Sequence, residues 1–161
     1  MKRFFTALVT GLVVGGVGGF LLGVYALPII VEWRHGVQER AEAPEADEHD
    51  PAGAFDRNSP GSDPLHWGEG RIRVSEGSLV FEEDVRLAPG PDYRVYLSKS
   101  FAQTKEEFLA IKPGAVEIAS LEVFSGPLSF PIPPEVDPDV YDNVVVWCEA
   151  FAMYIASARL E

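Results

Sequence analysis

The chain has 161 residues, 25 acidic against 13 basic side chains, a formal charge of −12 and one cysteine. That length leaves room for one ordinary domain beside a short anchor. The acidity argues against nucleic acid, which needs basic patches, and against close docking on anionic lipid; the lone cysteine excludes an internal disulfide, so a small domain here must stand on its core.

Residues 1–37 read as an N-terminal membrane anchor with its juxtamembrane residues. Phe4 to Val31 holds no charged side chain, and about 20 apolar residues suffice to span a hydrocarbon core of roughly 30 Å. Gly11, Gly15, Gly19 and Gly23 recur at every fourth position. On a helix they stack on one face and let a second backbone approach closely, which suits self-association within the bilayer. Lys2-Arg3 ahead of an apolar stretch also begins a secretory signal, but the run is longer than the roughly 7–15 residues of such a core and no small-x-small cleavage site follows it. An uncleaved signal anchor is the expectation. Lys2 and Arg3 stand on one side, with Arg34 and Arg40 on the other, so the positive-inside margin is thin. The N-terminus is placed in the cytoplasm, with Tyr25 and Trp33 as interface aromatics toward the far side and the C-terminal domain periplasmic or extracellular.

Residues 38–64 read QERAEAPEADEHDPAGAFDRNSPGSDP, rich in Glu, Asp, Ala, Pro and Gly, with Phe55 the single aromatic. Such a composition predicts a disordered spacer, since it buries too little surface to offset its ordering entropy. Its r.m.s. reach is about 30 Å, enough to lift a small domain clear of the headgroups. His49 within it is read as a solvated side chain.

From Leu65 onward the texture changes to short β-prone runs separated by Gly and Pro. Strands are expected at Arg71–Val74, at Leu79–Phe81 after the Glu76-Gly77 turn, and at Tyr93–Leu97 after Pro-Gly-Pro-Asp. A short helix is expected at Glu106–Ile111. Further strands follow at Ala115–Val123, Leu128–Ile132, Asn143–Phe151 and Met153–Leu160. Seven or more short strands with frequent turn residues predict an all-β domain over 65–161, a sandwich or barrel. No long 3.6-period segment follows the anchor, which argues against an α/β fold.

Most catalytic signatures are missing: no GxGxxG, phosphate loop, HExxH, GxSxG or CxxC occurs. Of the three histidines, His35 and His49 precede the domain, so any histidine chemistry in it falls to His66. The run Glu82-Glu83-Asp84 offers paired carboxylates, but neighbours on a strand end face opposite ways and mark a solvated edge. Around Cys148 the period of two puts Val144, Val146, Cys148 and Ala150 on one face, and Val145, Trp147, Glu149 and Phe151 on the other. The first set is apolar throughout, so Cys148 is expected to point into the core. A buried cysteine behaves as a small hydrophobe with an inert thiol; the functional alternative makes it a soft ligand or a redox thiol.

HWGEGRIRV, GPDYRVYLS, FPIPPEVDPDVYDNVVVWCEAF and the closing ASARL occur in an order that resembles the electron-transfer DM-thirteen domain, also found in Skeletor-type proteins. The resemblance covers roughly Leu65 to Leu160. It implies a small β-sandwich-like domain related in role to the DOMON domains that accompany membrane cytochromes. It further implies electron relay, with Cys148 as the redox or cofactor-linked residue and His66 as the family's histidine before the first strand. Asp92, Tyr93 and Trp147 are motif residues, read from their chemistry as a turn acceptor and core aromatics.

The expected function is therefore redox or electron transfer by a membrane-tethered extracytoplasmic domain. Cys148 is the reactive or ligating group and His66 its candidate partner. A Cys–His pair binds haem or copper in principle and does not choose between them. No cytochrome helices lie in this chain, so the electron donor is expected to be a separate membrane protein. The rival readings are a binding module that recognises an envelope or extracellular partner, with Cys148 as packing, and a structural spacer assembled through the glycine face.

Overall fold

The computed structural model describes residues 2–35, 44, 46, 47, 49–138 and 140–161. Helix α1, Lys2–His35, takes in the uncharged run. Side chains are described along it without a break from Leu8 to Val24, and among the described residues no helix is long and apolar enough to cross a membrane. Gly11, Gly15, Gly19 and Gly23 all lie on α1, with nothing described within 4 Å of where a Cβ would stand. Residues 36–43, Arg40 among them, lie outside the described residues, as do the side chains of Tyr25, Trp33, Arg34 and His35.

The remainder is mostly β, in two antiparallel sheets with nine strands. One sheet runs β1 (Ala52–Phe55), β2 (Gly68–Ser75), β3 (Ser78–Phe81) and β7 (Leu128–Pro131), with the short β4 (Arg86–Leu87) paired to β2. The other runs β6 (Val116–Leu121), β5 (Tyr93–Ser98), β8 (Asn143–Cys148) and β9 (Met153–Arg159). The β2–β3 hairpin closes on Glu76 and Gly77, both at positive φ (48° and 74°) with Ser75 opposite Ser78. That is the two-residue geometry whose twist matches paired strands. A common core forms from period-two faces of both sheets: Ile72, Leu79 and Phe81 from one, Val95, Val146 and Ile155 from the other.

The expected spacer is in part built into this fold. Ala52–Phe55 pairs with β2 from Ala52↔Arg73 to Phe55↔Gly70. Ala52 also exchanges backbone hydrogen bonds with Glu161 (3.1 and 3.0 Å), which closes the β1 edge against the end of β9. Gly53 permits this, because a Cβ there would lie 2.1 Å from the Arg159 carbonyl oxygen. Phe55, only 3% exposed, stacks edge-on against Phe81 with centroids 5.2 Å apart. One aromatic and a ladder of backbone bonds suffice to order four residues on an existing sheet, which a composition argument misses. His49 further upstream is solvated, as expected, with its ring 3.2 Å from Asp47.

Strand β8 has both faces covered. Its inner face lies in the common core, while Val145 and Trp147 on the outer face join Tyr96, Phe108 and Tyr154 in a second apolar cluster. Helix α2 (Lys105–Ile111) supplies the lid. Thr104 caps it by accepting from the Glu107 N–H at 3.3 Å, and Glu107 reaches back to the Gln103 N–H at 2.8 Å, a variant of the capping box. Phe108 then stacks on Trp147 and Tyr96 at 5.0 and 5.4 Å. The expected Asn143–Phe151 strand ends at Cys148, because Glu149 to Ala152 turn the chain into β9; Ala150 and Phe151 are consequently exposed rather than continuing the two faces.

Phe108 anchors the outer cluster, so Phe108→Ala should destabilise the domain by about 3–5 kcal/mol, the range for emptying a buried aromatic site. Denaturant unfolding followed by tryptophan fluorescence measures this, since Trp147 sits against the missing ring. A loss under about 1 kcal/mol would mean that α2 does not hold the outer face.

Candidate functional site

Cys148 ends β8 opposite Tyr93, the first residue of β5. It is 2% exposed, and its S–H donates to the Pro91 carbonyl oxygen at 3.0 Å. The Pro-Gly-Pro-Asp turn that carries this acceptor is fixed beside it. Asp92 adopts a positive φ of 53°, its carbonyl accepts the Glu149 N–H at 3.0 Å, and its carboxylate accepts from Arg94 at 2.7 Å. Tyr93 is buried and packs edge-on against Phe124 at 5.5 Å. Asp92 and Tyr93 thus take the turn and core roles read from their chemistry, and Trp147 is a core aromatic on the far face of β8.

Burial pushes the Cys148 thiol pKa up from its ordinary value, and the charges of Asp92 and Glu149 act in the same direction, against the Phe151 and Ala150 N–H groups, which pull it down. A neutral, hydrogen-bonded thiol in an apolar wall is a poor nucleophile.

His66 lies in the loop before β2 and is held almost entirely by Asp63. One Asp63 carboxylate oxygen accepts the backbone N–H groups of Leu65 (2.7 Å) and His66 (2.8 Å), folding the chain back around Pro64. The other lies 2.8 Å from His66 Nδ1. The Asp63 N–H closes the loop by donating to the His66 carbonyl at 2.8 Å. Burial alone would raise the Asp63 carboxyl pKa; the hydrogen bonds from His66 and Leu65 outweigh it and leave the group below its ordinary value. An ionised carboxylate only accepts, so the proton of the neutral imidazole sits on Nδ1 and the free lone pair on Nε2.

The two expected site residues both line one cavity of about 40 Å³, walled also by Leu65, Pro89, Gly90, Pro91, Tyr93 and Phe151 and, from α1, by Val24. Leu65 and Phe151 stand at this place half-exposed, at 52% and 53%. A larger cavity of about 200 Å³ lies where β6 and β7 meet, lined by Leu121, Val123, Leu128 and Phe130 with Glu122; it holds neither His66 nor Cys148. Among the described residues no three His, Cys, Asp or Glu side chains are grouped to hold a metal ion. Glu82 and Asp84 do not pair as an acid and base but answer Arg73 (2.6 Å) and Arg71 (2.9 Å) on β2.

Sequence reasoning passed over Asp63 and the Pro91 carbonyl. Asp63 is signalled only by an Asp-Pro turn three residues before a histidine. A backbone acceptor brought to Cys148 across 57 positions leaves no local pattern.

This is an antiparallel β domain whose one thiol and the imidazole of His66 both line a single small cavity. The family model described as electron transfer DM13 matches residues 61–160, and the chain belongs to that family. No curated protein matches the chain, and no solved structure does.

A bulky maleimide should label Cys148 slowly in the native protein and rapidly in denaturant. With its pKa raised in the fold, the thiol keeps its proton through the usual thiol range near pH 8.5 while the unfolded chain loses it. The folded state then binds more protons, so this group's contribution to stability falls as pH rises above that range, and Cys148→Ala should lessen the alkaline slope. Fast native labelling near neutral pH would contradict the burial of the thiol.

Proposed function

We propose that this protein is a membrane-tethered extracytoplasmic electron-transfer domain in which Cys148, partnered by His66, is the redox-linked group. Membership of the electron transfer family supports the reaction class. The observation that carries the residue assignment is the placement of His66 and Cys148 in the wall of one cavity, although they stand far apart in sequence. Burial and a satisfied S–H favour a ligating over a disulfide-exchanging thiol, because exchange requires an accessible thiolate. Asp63 holds His66 as a carboxylate holds a metal-bound histidine, setting ring orientation and tautomer. Leu65 and Phe151 beside the cavity offer an apolar rim on which a donor, such as a separate membrane cytochrome, docks close to the thiol.

Full-length protein isolated from membranes should give a reversible one-electron wave in film voltammetry. Cys148→Ala should abolish the wave while circular dichroism and cooperative unfolding persist. A wave that survives in Cys148→Ala would move the redox function elsewhere. A folded, redox-silent wild type favours instead the rival reading, in which the apolar rim recognises an envelope or extracellular partner without redox chemistry.

The tether is α1. Its uncharged run supports an uncleaved signal anchor with a cytoplasmic N-terminus, and the Gly11, Gly15, Gly19, Gly23 face supports self-pairing in the bilayer. The protein should remain with membranes after alkaline carbonate extraction and retain its N-terminal residues. Gly15→Leu with Gly19→Leu should weaken self-association in a membrane two-hybrid assay. Recovery of a soluble species starting near residue 26 would replace the anchor with a cleaved signal.

A further inference from the structure

We propose that Tyr96 is a second redox group of this domain, a tyrosine that yields one electron to an oxidant of the haem porphyrin-radical class while its phenolic proton passes to Glu117. The site belongs to the outer apolar cluster, apart from the cavity of His66 and Cys148, and does not depend on the assignment of either.

A bulge sets its geometry. β5 and β6 pair from Tyr93↔Leu121 to Val95↔Ala119, and the register then slips so that Tyr96 stands opposite Glu117 and Ile118 is skipped. Such bulges re-aim side chains and gather beside functional sites. A second one follows Val146 and sets Trp147 opposite Tyr154. The buried Tyr96 hydroxyl thus has two carboxylates within reach, Glu149 Oε1 at 2.5 Å and Glu117 Oε2 at 3.1 Å. A phenol has one proton to give, so the need to satisfy a buried hydroxyl does not account for the pair. Tyr154 shows the plain structural arrangement: its buried hydroxyl meets the Ser157 hydroxyl at 2.9 Å, a partner that takes up no proton.

Burial pushes the Tyr96 phenol pKa up, and Glu149 and then Glu117 push it the same way. The proton therefore does not leave alone. Once an electron has gone, however, the ring is a strong acid and passes its proton to a base in contact. Glu149 is held as a carboxylate: burial raises its pKa, but hydrogen bonds from Lys112 and Tyr96 outweigh this, with Lys112 Nζ on its two oxygens at 2.6 and 2.8 Å. Glu117 is 43% exposed, and its other oxygen lies 3.2 Å from Arg94. It is the base that hands the proton on to water. In this cluster Arg94 and Lys112 face Asp92, Glu117 and Glu149, so one negative charge is in excess. Loss of one electron, with the proton kept on Glu117, leaves the cluster neutral and strands no charge away from water.

The step balances. The phenolic O–H bond breaks, an O–H bond forms on Glu117, and the electron fills the hole of the porphyrin radical. A reductant of the ene-diol class returns one electron, and Glu117 returns the proton. Phe108 stacks on both Tyr96 and Trp147, at 5.4 and 5.0 Å, which shields the radical from coupling with another.

The test is flash photolysis of the full-length protein in detergent, read by freeze-quench electron paramagnetic resonance. Ruthenium tris-bipyridine with a cobalt(III) quencher supplies trivalent ruthenium in place of the haem oxidant. A Tyr25→Phe, Tyr141→Phe background removes the phenols of the anchor and of the half-buried loop. This background should give a neutral tyrosyl radical, formed more slowly in heavy water. Added Tyr96→Phe keeps the packed ring and should abolish the signal, whereas added Tyr154→Phe should retain it. Glu117→Gln leaves the bond from Tyr96 to Glu149 in place but supplies no base, so the radical should again be lost while cooperative unfolding persists. A tyrosyl signal that survives Tyr96→Phe, or is undiminished in Glu117→Gln, would overturn the assignment, because a merely structural contact changes stability and not radical yield. A folded background protein that forms no tyrosyl radical would remove it. The voltammetric wave assigned to Cys148 is a separate readout and should be unchanged in Tyr96→Phe.

Discussion

Burial of β8 on both faces is the constraint on which the rest of the domain depends. An antiparallel strand commonly shows one face to water, yet all six residues from Asn143 to Cys148 are buried. The inner face needs a second sheet, which β2 and β3 provide. The outer face needs a cover, which α2 provides through Phe108. Tight packing of this kind fixes the strand's end against the Pro-Gly-Pro-Asp turn, and there the thiol meets the Pro91 carbonyl. A side chain held on a central strand is positioned more exactly in space than one on a loop. The fold thus delivers Cys148 to one place and one partner.

His66 is delivered by other means. Its loop has no regular structure, and the side chain owes its position to one carboxylate that binds two backbone N–H groups and the ring together. Pro64 between them limits the conformations available to the unfolded loop, so less entropy is lost in forming this arrangement. The ordering of the acidic segment ahead of β1 follows a similar rule. Arg73 projects from β2, nearly buried, between Asp50 at 3.1 Å and Glu82 at 2.6 Å, and also donates to the Pro44 carbonyl. A buried guanidinium left with unpaired donors would cost several kcal/mol, so the sheet recruits the acidic chain to satisfy it. Part of the chain's excess of carboxylates is therefore structural.

What was legible in the sequence divides along the same line. Alternation and turn residues located β2, β3, β5, β6, β7, β8, β9 and α2, because their patterns are written locally. β1 and β4 were missed, since Ala52–Phe55 and Arg86–Leu87 are held by backbone pairing on neighbours remote in sequence. Cys148 was correctly placed on the inner face from Val144 and Val146. The same alternation failed beyond it, where Glu149 and Ala150 obey the turn to β9 rather than the strand. His66 could be singled out as the domain's one histidine. Its bond to Asp63 was hidden, because an Asp-Pro turn signals a bend and says nothing of where a carboxylate will point.

The thiol's surroundings look at first like a contradiction. Burial, with the nearby charges of Asp92 and Glu149, works against a thiolate, and a group kept protonated in an apolar wall would be inert. Both penalties, however, fall on an isolated negative charge. A thiolate bound to a cation would be neutral as a unit, so the cost of desolvating it would shrink. The carboxylates are themselves tempered, Asp92 by Arg94 at 2.7 Å and Glu149 by Lys112 at 2.6 Å, so the field they leave at the thiol is modest. A thiol held this way resists alkylation and air oxidation, since both require the free thiolate. The apolar wall that silences Cys148 as a nucleophile therefore leaves ligation, as proposed above, as the chemistry compatible with its burial.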